Sequence, residues 1–272
     1  MNIRTLIGGI TAIAMLGIST VGALAADGKK QSIKPVAGSP LEEIWSGYHY
    51  AKPATNAMQD DDFENPGMTW FDIGKANWSK KDGEAGKSCS ECHKVDDMKG
   101  VGARYPIVDA KLNKLMNVEE RVNYCRKTYM KAKPWKYDSN NMLGTVIYVK
   151  AQSRDMPVSV KVDGAAAPYF KKGKDFYYER RGQMDMSCAH CHEKYYGQLI
   201  RMNILSQGQS NGFPVYRLKW QKPGSLHRRF KGCNKQVRAK PFKTGSDEYM
   251  ALELYLAWRG TGLGVETPAI RN

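Results

Sequence analysis

Apolar and polar positions along this chain fall mostly into helical spacing, with irregular runs between them and few strand-like alternations. The clearest helix runs from Asp247 to Arg259, with Met250, Leu252, Leu254, Tyr255, Leu256 and Trp258 as apolar positions, Ser246 as N-cap and Gly260 as stop. Ser139-Asn140-Asn141-Met142, leading into Val146-Ile147-Tyr148-Val149, repeats this stretch at an offset of 107 (148 to 255). Upstream, Gly74-Lys75 recurs as Gly173-Lys174 and Trp78 as Tyr177, both at an offset of 99. A near-constant offset over such distances marks an internal repeat. Two similar helical units are therefore expected, each with a helix before and an amphipathic helix after its centre, divided near residue 160 by Pro157 and the loop Asp163 to Pro168.

The longest apolar run, Leu6 to Leu24, follows Arg4 and ends in Ala23-Leu24-Ala25. A short cationic start, an apolar stretch and an A-x-A ending predict a secretory signal peptide over 1–25 and a mature chain that works in the periplasm. Residues 26–55 are irregular and rich in Gly, Pro and Lys, an extension that wraps the fold or stays mobile. The expected domains are then 56–160 and 161–272. Asp60-Asp61-Asp62 is read as a solvated loop or helix start, since it lacks the Gly and Glu of a calcium loop.

Cysteine placement supplies the chemistry. Cys89-Ser90-Glu91-Cys92-His93 recurs as Cys188-Ala189-His190-Cys191-His192, two complete C-x-x-C-H signatures 99 residues apart (89 to 188). Two thiols at this spacing reach the two vinyl groups of one porphyrin while the adjacent imidazole lies beneath the iron. A thioredoxin-like pair or half a zinc site would explain one C-x-x-C, but not two copies each followed by His. The fold class expected is mainly α, two cytochrome c-like domains from an internal duplication with an irregular N-terminal extension. Each domain would hold one covalent haem c, with His93 and His192 as proximal iron ligands.

The formal charge of +15 suggests anionic partners, which in an exported haem protein means small anions and acidic proteins rather than nucleic acid. Cys125 and Cys233, the two remaining cysteines, are 108 residues apart, near the repeat offset, and each follows an arginine by four residues, Arg121 and Arg229. On a helix that spacing puts guanidinium and sulfur on one face. Three readings are open: a disulfide, inert buried thiols, or the distal ligand of each haem. Met156 is available to the first haem as a distal ligand, but Thr261-Gly262-Leu263-Gly264, the equivalent stretch, has no methionine. His190 sits inside an attachment loop, and His49 and His227 are read as surface residues. A thiolate opposite His would lower the haem potential and place a reactive sulfur among Arg228, Arg229, Lys231, Lys235 and Arg238, a setting suited to an anionic sulfur compound.

In these residues the chain resembles the SoxA family, the dihaem subunits of the SoxAX cytochromes of thiosulfate oxidation. The resemblance is carried by Met58-Gln59-Asp60-Asp61-Asp62-Phe63-Glu64-Asn65-Pro66-Gly67, both C-x-x-C-H motifs, Cys125, and above all Arg228-Arg229-Phe230-Lys231-Gly232-Cys233. It implies His93 with Cys125 on the first iron and His192 with Cys233 on the second. It also implies Cys233 as the catalytic residue, able to carry a persulfide, and Arg229 as the substrate-binding arginine. The implied reaction joins thiosulfate to a cysteine of the carrier SoxYZ as a cysteine S-thiosulfonate, an L-cysteine S-thiosulfotransferase activity. Two electrons would leave through SoxX, a small c-type cytochrome in a heterodimer with this chain, to a soluble cytochrome c acceptor. The competing expectation is a dihaem electron-transfer protein without sulfur-transfer activity. The Arg-x-x-x-Cys spacing occurs in both units and does not itself say which is catalytic.

Overall fold

The computed structural model describes residues 31–272; the expected signal peptide lies outside the described residues. Two packed helix pairs dominate, and they follow the repeat. Helices α1 (Pro53–Asp60) and α2 (Met68–Ser79) precede the first C-x-x-C-H loop, then come a one-turn α3 (Val101–Arg104), a hairpin of β1 (Ile107–Asp109) and β2 (Lys114–Met116), α4 (Val118–Cys125) and α5 (Asn140–Ala151). The second half continues with α6 (Ala167–Tyr178), β3 (Leu199–Ile200), β4 (Asn203–Ile204), β5 (Val215–Arg217), β6 (Lys222–Gly224), α7 (Leu226–Gln236), α8 (Asp247–Arg259) and β7 (Ala269–Arg271). Helix α8 has the bounds expected from sequence, and the Ser246 hydroxyl accepts the Tyr249 amide at its start.

Helix α2 packs on α5 and α6 on α8, and in each pair a glycine lets the backbones touch. A Cβ on Gly74 would stand 2.1 Å from the Gly144 carbonyl oxygen, and one on Gly173 2.0 Å from that of Ala251. Trp78, Met142, Val146 and Val149 fill the first core; Tyr177, Phe230, Tyr249, Leu252 and Tyr255 fill the second. The strand content is small. Strand β5 pairs antiparallel with β6 and parallel with β7, in register Val215↔Ala269 and Arg217↔Arg271.

The stretch expected as a linker near residue 160 is tied down. Val158 N donates to the Leu263 carbonyl at 2.9 Å, Ser159 N to that of Ala103 at 2.8 Å, and Gly262 N to that of Val158 at 2.8 Å. The described part of the extension wraps rather than dangles. Ile33 bridges Ile44, Trp45 N donates to Gln207 Oε1 at 2.7 Å, and Gln207 Nε2 returns a bond to the Glu43 carbonyl at 3.1 Å. The buried Ser46 and Gln59 both bond Glu266 near the last strand, and Gln59 Oε1 accepts the Ile270 amide at 3.0 Å. Asp62 pairs with Arg154 at 3.0 Å, and no metal-binding cluster of His, Cys, Asp or Glu occurs among the described residues.

One sequence expectation is overturned between the two halves. His49 is exposed, but His227 is 1 % exposed, because its position on α7 faces α4 and α8 rather than solvent. Its Nδ1 accepts the Gly245 amide at 3.0 Å, Nε2 meets Glu253 at 3.0 Å, and the ring stacks on Tyr137. Asn117, the α4 N-cap, donates to the same Glu253 carboxylate at 2.9 Å. Neighbouring Glu119 is pushed up to about 7, first by burial and then by the Glu253 charge.

Candidate active site around Cys233

The second attachment loop is held by its own residues. After α6 the chain turns back through a bridge between Arg181 and Met186, and His190 Nδ1 accepts the Ser187 amide at 3.1 Å. His190 is thus committed to the loop, as its sequence position suggests. His192 Nδ1 lies 2.7 Å from the Ser206 carbonyl oxygen, so Nδ1 donates and Nε2 is left facing the interior. Gly208, at φ +77°, allows this approach, since a Cβ there would stand 2.9 Å from His192 Cγ. Glu193, the next residue, is paired with Arg259, which is 1 % exposed and lies over the Tyr177 ring at 4.6 Å.

Cys233 rises from α7 one turn after Arg229, as the spacing predicts, and Ser225 caps that helix by accepting the Arg228 amide at 3.2 Å. Cys233 is half-buried as a residue and its sulfur is densely surrounded. Burial alone would push the thiol up. The Arg229 guanidinium, then His192 through a hydrogen bond and its charge, then Arg217, outweigh burial and hold Cys233 down at about 7. Among the described residues no carboxylate pairs with Arg229. Cys188 is pushed up to about 12, by burial and then by the charge of Cys233, while Cys191 is raised by burial and Cys233 and eased by Arg229. Cys188, Cys191, His192 and Cys233 therefore converge.

The first loop is built alike around Cys89, Cys92 and His93. The His93 and Cys92 amides donate to the Cys89 carbonyl at 3.0 and 3.1 Å, and Glu91 takes the place of His190 by accepting the Ser88 amide at 2.6 Å. Cys125 ends α4 beside Cys89 and Cys92, but its thiol is raised, by burial first, with Arg121 opposing only in part. The reason is that Arg121 is engaged elsewhere. Its Nη2 pairs with Asp109 and its Nε donates to the Tyr105 hydroxyl at 3.2 Å. All six cysteines are unpaired, so the disulfide between Cys125 and Cys233 is absent. Met156 is 38 % exposed beside Gly100.

Of the five cations expected around the sulfur, Arg229 acts on it directly. Arg228 and Lys231 are half-buried on α7, and Lys235 and Arg238 are exposed, Arg238 lining a surface groove with Arg180 and Arg181. Arg217 was not foreseen. It arrives from β5, and burial followed by the Arg229 charge lowers it to about 10. Glu193, Arg259 and Gly208 also lie outside the sequence reading, because no periodicity or motif connects them to the haem loop.

Two thiols beside an imidazole whose Nδ1 is already bonded and whose Nε2 faces a second sulfur form a donor set that fits an iron porphyrin held by thioether bonds and two axial ligands. The class is that of a c-type cytochrome. Residues 73–158 match the cytochrome c domain family of SoxA and TsdA, and that domain carries covalently bound haem c. Over 234 residues the chain is 46% identical to the L-cysteine S-thiosulfotransferase subunit SoxA of Rhodovulum sulfidophilum, covering 85% of this chain and 82% of that one. It is 45% identical over 233 residues to the same subunit of Paracoccus pantotrophus, covering 85% and 80%. The crystal structure of SoxXA from P. pantotrophus superposes with a TM-score of 0.86 at 44% identity, covering 89% of this chain and 92% of that one. The chain belongs to the SoxA family.

Proposed function

We propose that this chain is the subunit of an L-cysteine S-thiosulfotransferase that joins thiosulfate to a cysteine of the carrier SoxYZ. The reaction forms a sulfur–sulfur bond between the outer sulfur of thiosulfate and the carrier cysteine, giving a cysteine S-thiosulfonate, and releases one proton and two electrons. The single observation that carries this reading is the environment of Cys233. A thiol held at about 7 is substantially ionised at neutral pH, and among the described residues no carboxylate competes for the arginine that lowers it.

Arg229 binds the sulfonate end of thiosulfate through charge-assisted hydrogen bonds and orients its outer sulfur toward Cys233. Cys233, as thiolate or persulfide, is the catalytic sulfur. His192 is fixed by Ser206 and Gly208, and Arg259 restrains the loop through Glu193. Cys188 and Cys191 would hold haem through thioether bonds with His192 and Cys233 as axial ligands; Cys89, Cys92, His93 and Cys125 would do the same for a second haem. Bound haem supplies a one-electron acceptor beside the sulfur. The two electrons leave through SoxX, in a heterodimer with this chain, to a soluble cytochrome c in the periplasm.

The two haem-bearing units, 56–160 and 161–272, descend in this reading from one duplicated cytochrome c-like domain. In support, the Gly74 and Gly173 contacts, the loop-closing bridges Asp82↔Lys87 and Arg181↔Met186, and the roles of Glu91 and His190 all recur at an offset of 99.

The test uses the haem-loaded complex with SoxX, reduced SoxYZ, thiosulfate and ferric cytochrome c. The expected result is a carrier that gains one thiosulfate per two cytochrome c molecules reduced, read by intact mass and absorbance. Cytochrome c reduction without a modified carrier would instead establish electron transfer alone.

A further inference from the structure

The two cysteine-bearing helices begin side by side, and each start is held by the opposite unit. Asn117, the N-cap of α4, and Ser225, the N-cap of α7, lie 108 residues apart (117 to 225), near the repeat offset. Asn117 Nδ2 donates to Glu253 of the second unit at 2.9 Å, and the Ser225 amide donates to Asp138 Oδ1 of the first at 2.9 Å. An N-cap amide has no partner within its own helix, and Ser225 is 1 % exposed, so Asp138 supplies the bond in place of water. Two residues on, the His227 ring stacks on Tyr137 of the same loop, with centroids 5.3 Å apart and planes at 15°. The loop is itself stiff. Asn123 bonds the amide and the carbonyl of Trp135 at 2.8 and 2.9 Å, and the Arg126 guanidinium lies over the indole at 3.6 Å. Asn123 and Arg126 flank Cys125, so a continuous set of contacts runs from the helix of Cys125 to the helix of Cys233.

From this joint we infer that Tyr137 and Asp138, in the first unit, are positioning residues for the second: they seat the start of α7 and so fix where Arg229 and Cys233 stand against the second attachment loop. The first unit thereby takes part in the reaction without chemistry of its own. For its assay the inference rests on the thiosulfotransferase reading. A helix carries a displacement at Ser225 to Cys233, about 12 Å along its axis, as a rigid body. Arg229 and Cys233, one turn apart, move together and keep their mutual spacing. The attachment loop is held separately, by the Arg181–Met186 bridge and by Ser206 on His192, and does not follow. Loosening the joint therefore spoils the alignment of the sulfur with the loop rather than the capture of the anion.

The test uses the haem-loaded complex with SoxX, and reads carrier modification and the electron paramagnetic resonance signal of each haem. Asp138→Ala should lower kcat about tenfold, leave the thiosulfate KM within about twofold, and shift the second haem's signal while the first stays in place. Asp138→Asn keeps an oxygen at the Ser225 amide and should restore wild-type behaviour in all three. Tyr137→Leu removes the ring beside His227 and should act like Asp138→Ala, whereas Tyr137→Phe should stay within about twofold of wild type. This second pair decides the matter if Asp138→Ala does not fold. Unchanged kcat and signals, a loss in KM alone, a loss that asparagine does not rescue, or equal shifts of both haem signals would each overturn the inference. A wild type that never modifies the carrier would remove the thiosulfotransferase reading, and the spectral shifts, measured without substrate, would then decide the positioning role alone.

Discussion

The two attachment loops differ least where sequence is most alike and most where it is silent. Both units place an arginine one helical turn before a half-buried cysteine, beside a C-x-x-C-H loop. In the first, Asp109 and Tyr105 consume the arginine, and the thiol is raised; in the second no carboxylate among the described residues pairs with the arginine, Arg217 adds its charge, and the thiol falls to about 7. The same four-residue spacing therefore yields a quenched site and a reactive one. What separates them is the partner that a strand or hairpin brings to the guanidinium.

The sharpest way to break the comparison is to remove each sulfur. Cys233→Ala should lower carrier modification by more than about 10³-fold, whereas Cys125→Ala should leave it within about fivefold while changing only the spectrum of the first haem. Equal losses would mean that the two units share the catalytic task. Next in size, Arg259→Gln gives the second unit the residue type found at Gln152 in the first and leaves the largely buried Glu193 carboxylate to the Tyr178 hydroxyl. Thermal denaturation should register a loss of about 3 kcal/mol.

Exchanging the arginines should separate binding from stability. Arg229→Ala should raise the thiosulfate KM about tenfold or more, whereas Arg121→Ala should leave KM unchanged and lower the melting temperature only slightly, because Asp109 keeps the Lys111 and Leu112 amides. The smallest effect concerns the contact between the units. Because Glu119 is raised from 4.5 to about 7, its neutral form is the one the fold favours, so its stabilisation is complete below pH 4.5 and is lost as pH rises through 7. Glu119→Gln should flatten that slope, melting with wild type near pH 4.5 and a few degrees above it at pH 8, a gain of about 1–2 kcal/mol. Lys150, His227 and Glu253 face the same carboxyl, and the variant removes only the share that belongs to Glu119.

What the sequence disclosed was local. The two C-x-x-C-H loops are contiguous motifs, and α8 declared both its ends through Ser246, Gly260 and its apolar spacing. The Arg121 and Arg229 positions follow from one helical turn. What it concealed was long-range. Asp109 and Arg217 sit on three-residue strands too short to show alternation, and nothing near them in the chain hints at a cysteine. His227 looked like a surface residue because its neighbours Arg228 and Arg229 are charged, yet α7 turns it inward against Glu253 and Tyr137. The extension was half legible: its irregularity was evident, its docking on Gln207 and Glu266 was not.

That docking constrains how the molecule comes into being. Trp45, Ser46, Thr55 and Gln59 find partners at 207 and 266 to 272, so these side chains and amides wait for a stretch made more than 160 residues later. Contacts of such sequence separation form slowly and late. This stretch thus acts as a clasp that fastens only once residues 266–272 are in place, and loss of strand β7 with Asn272 would free Thr55 and Gln59 as well.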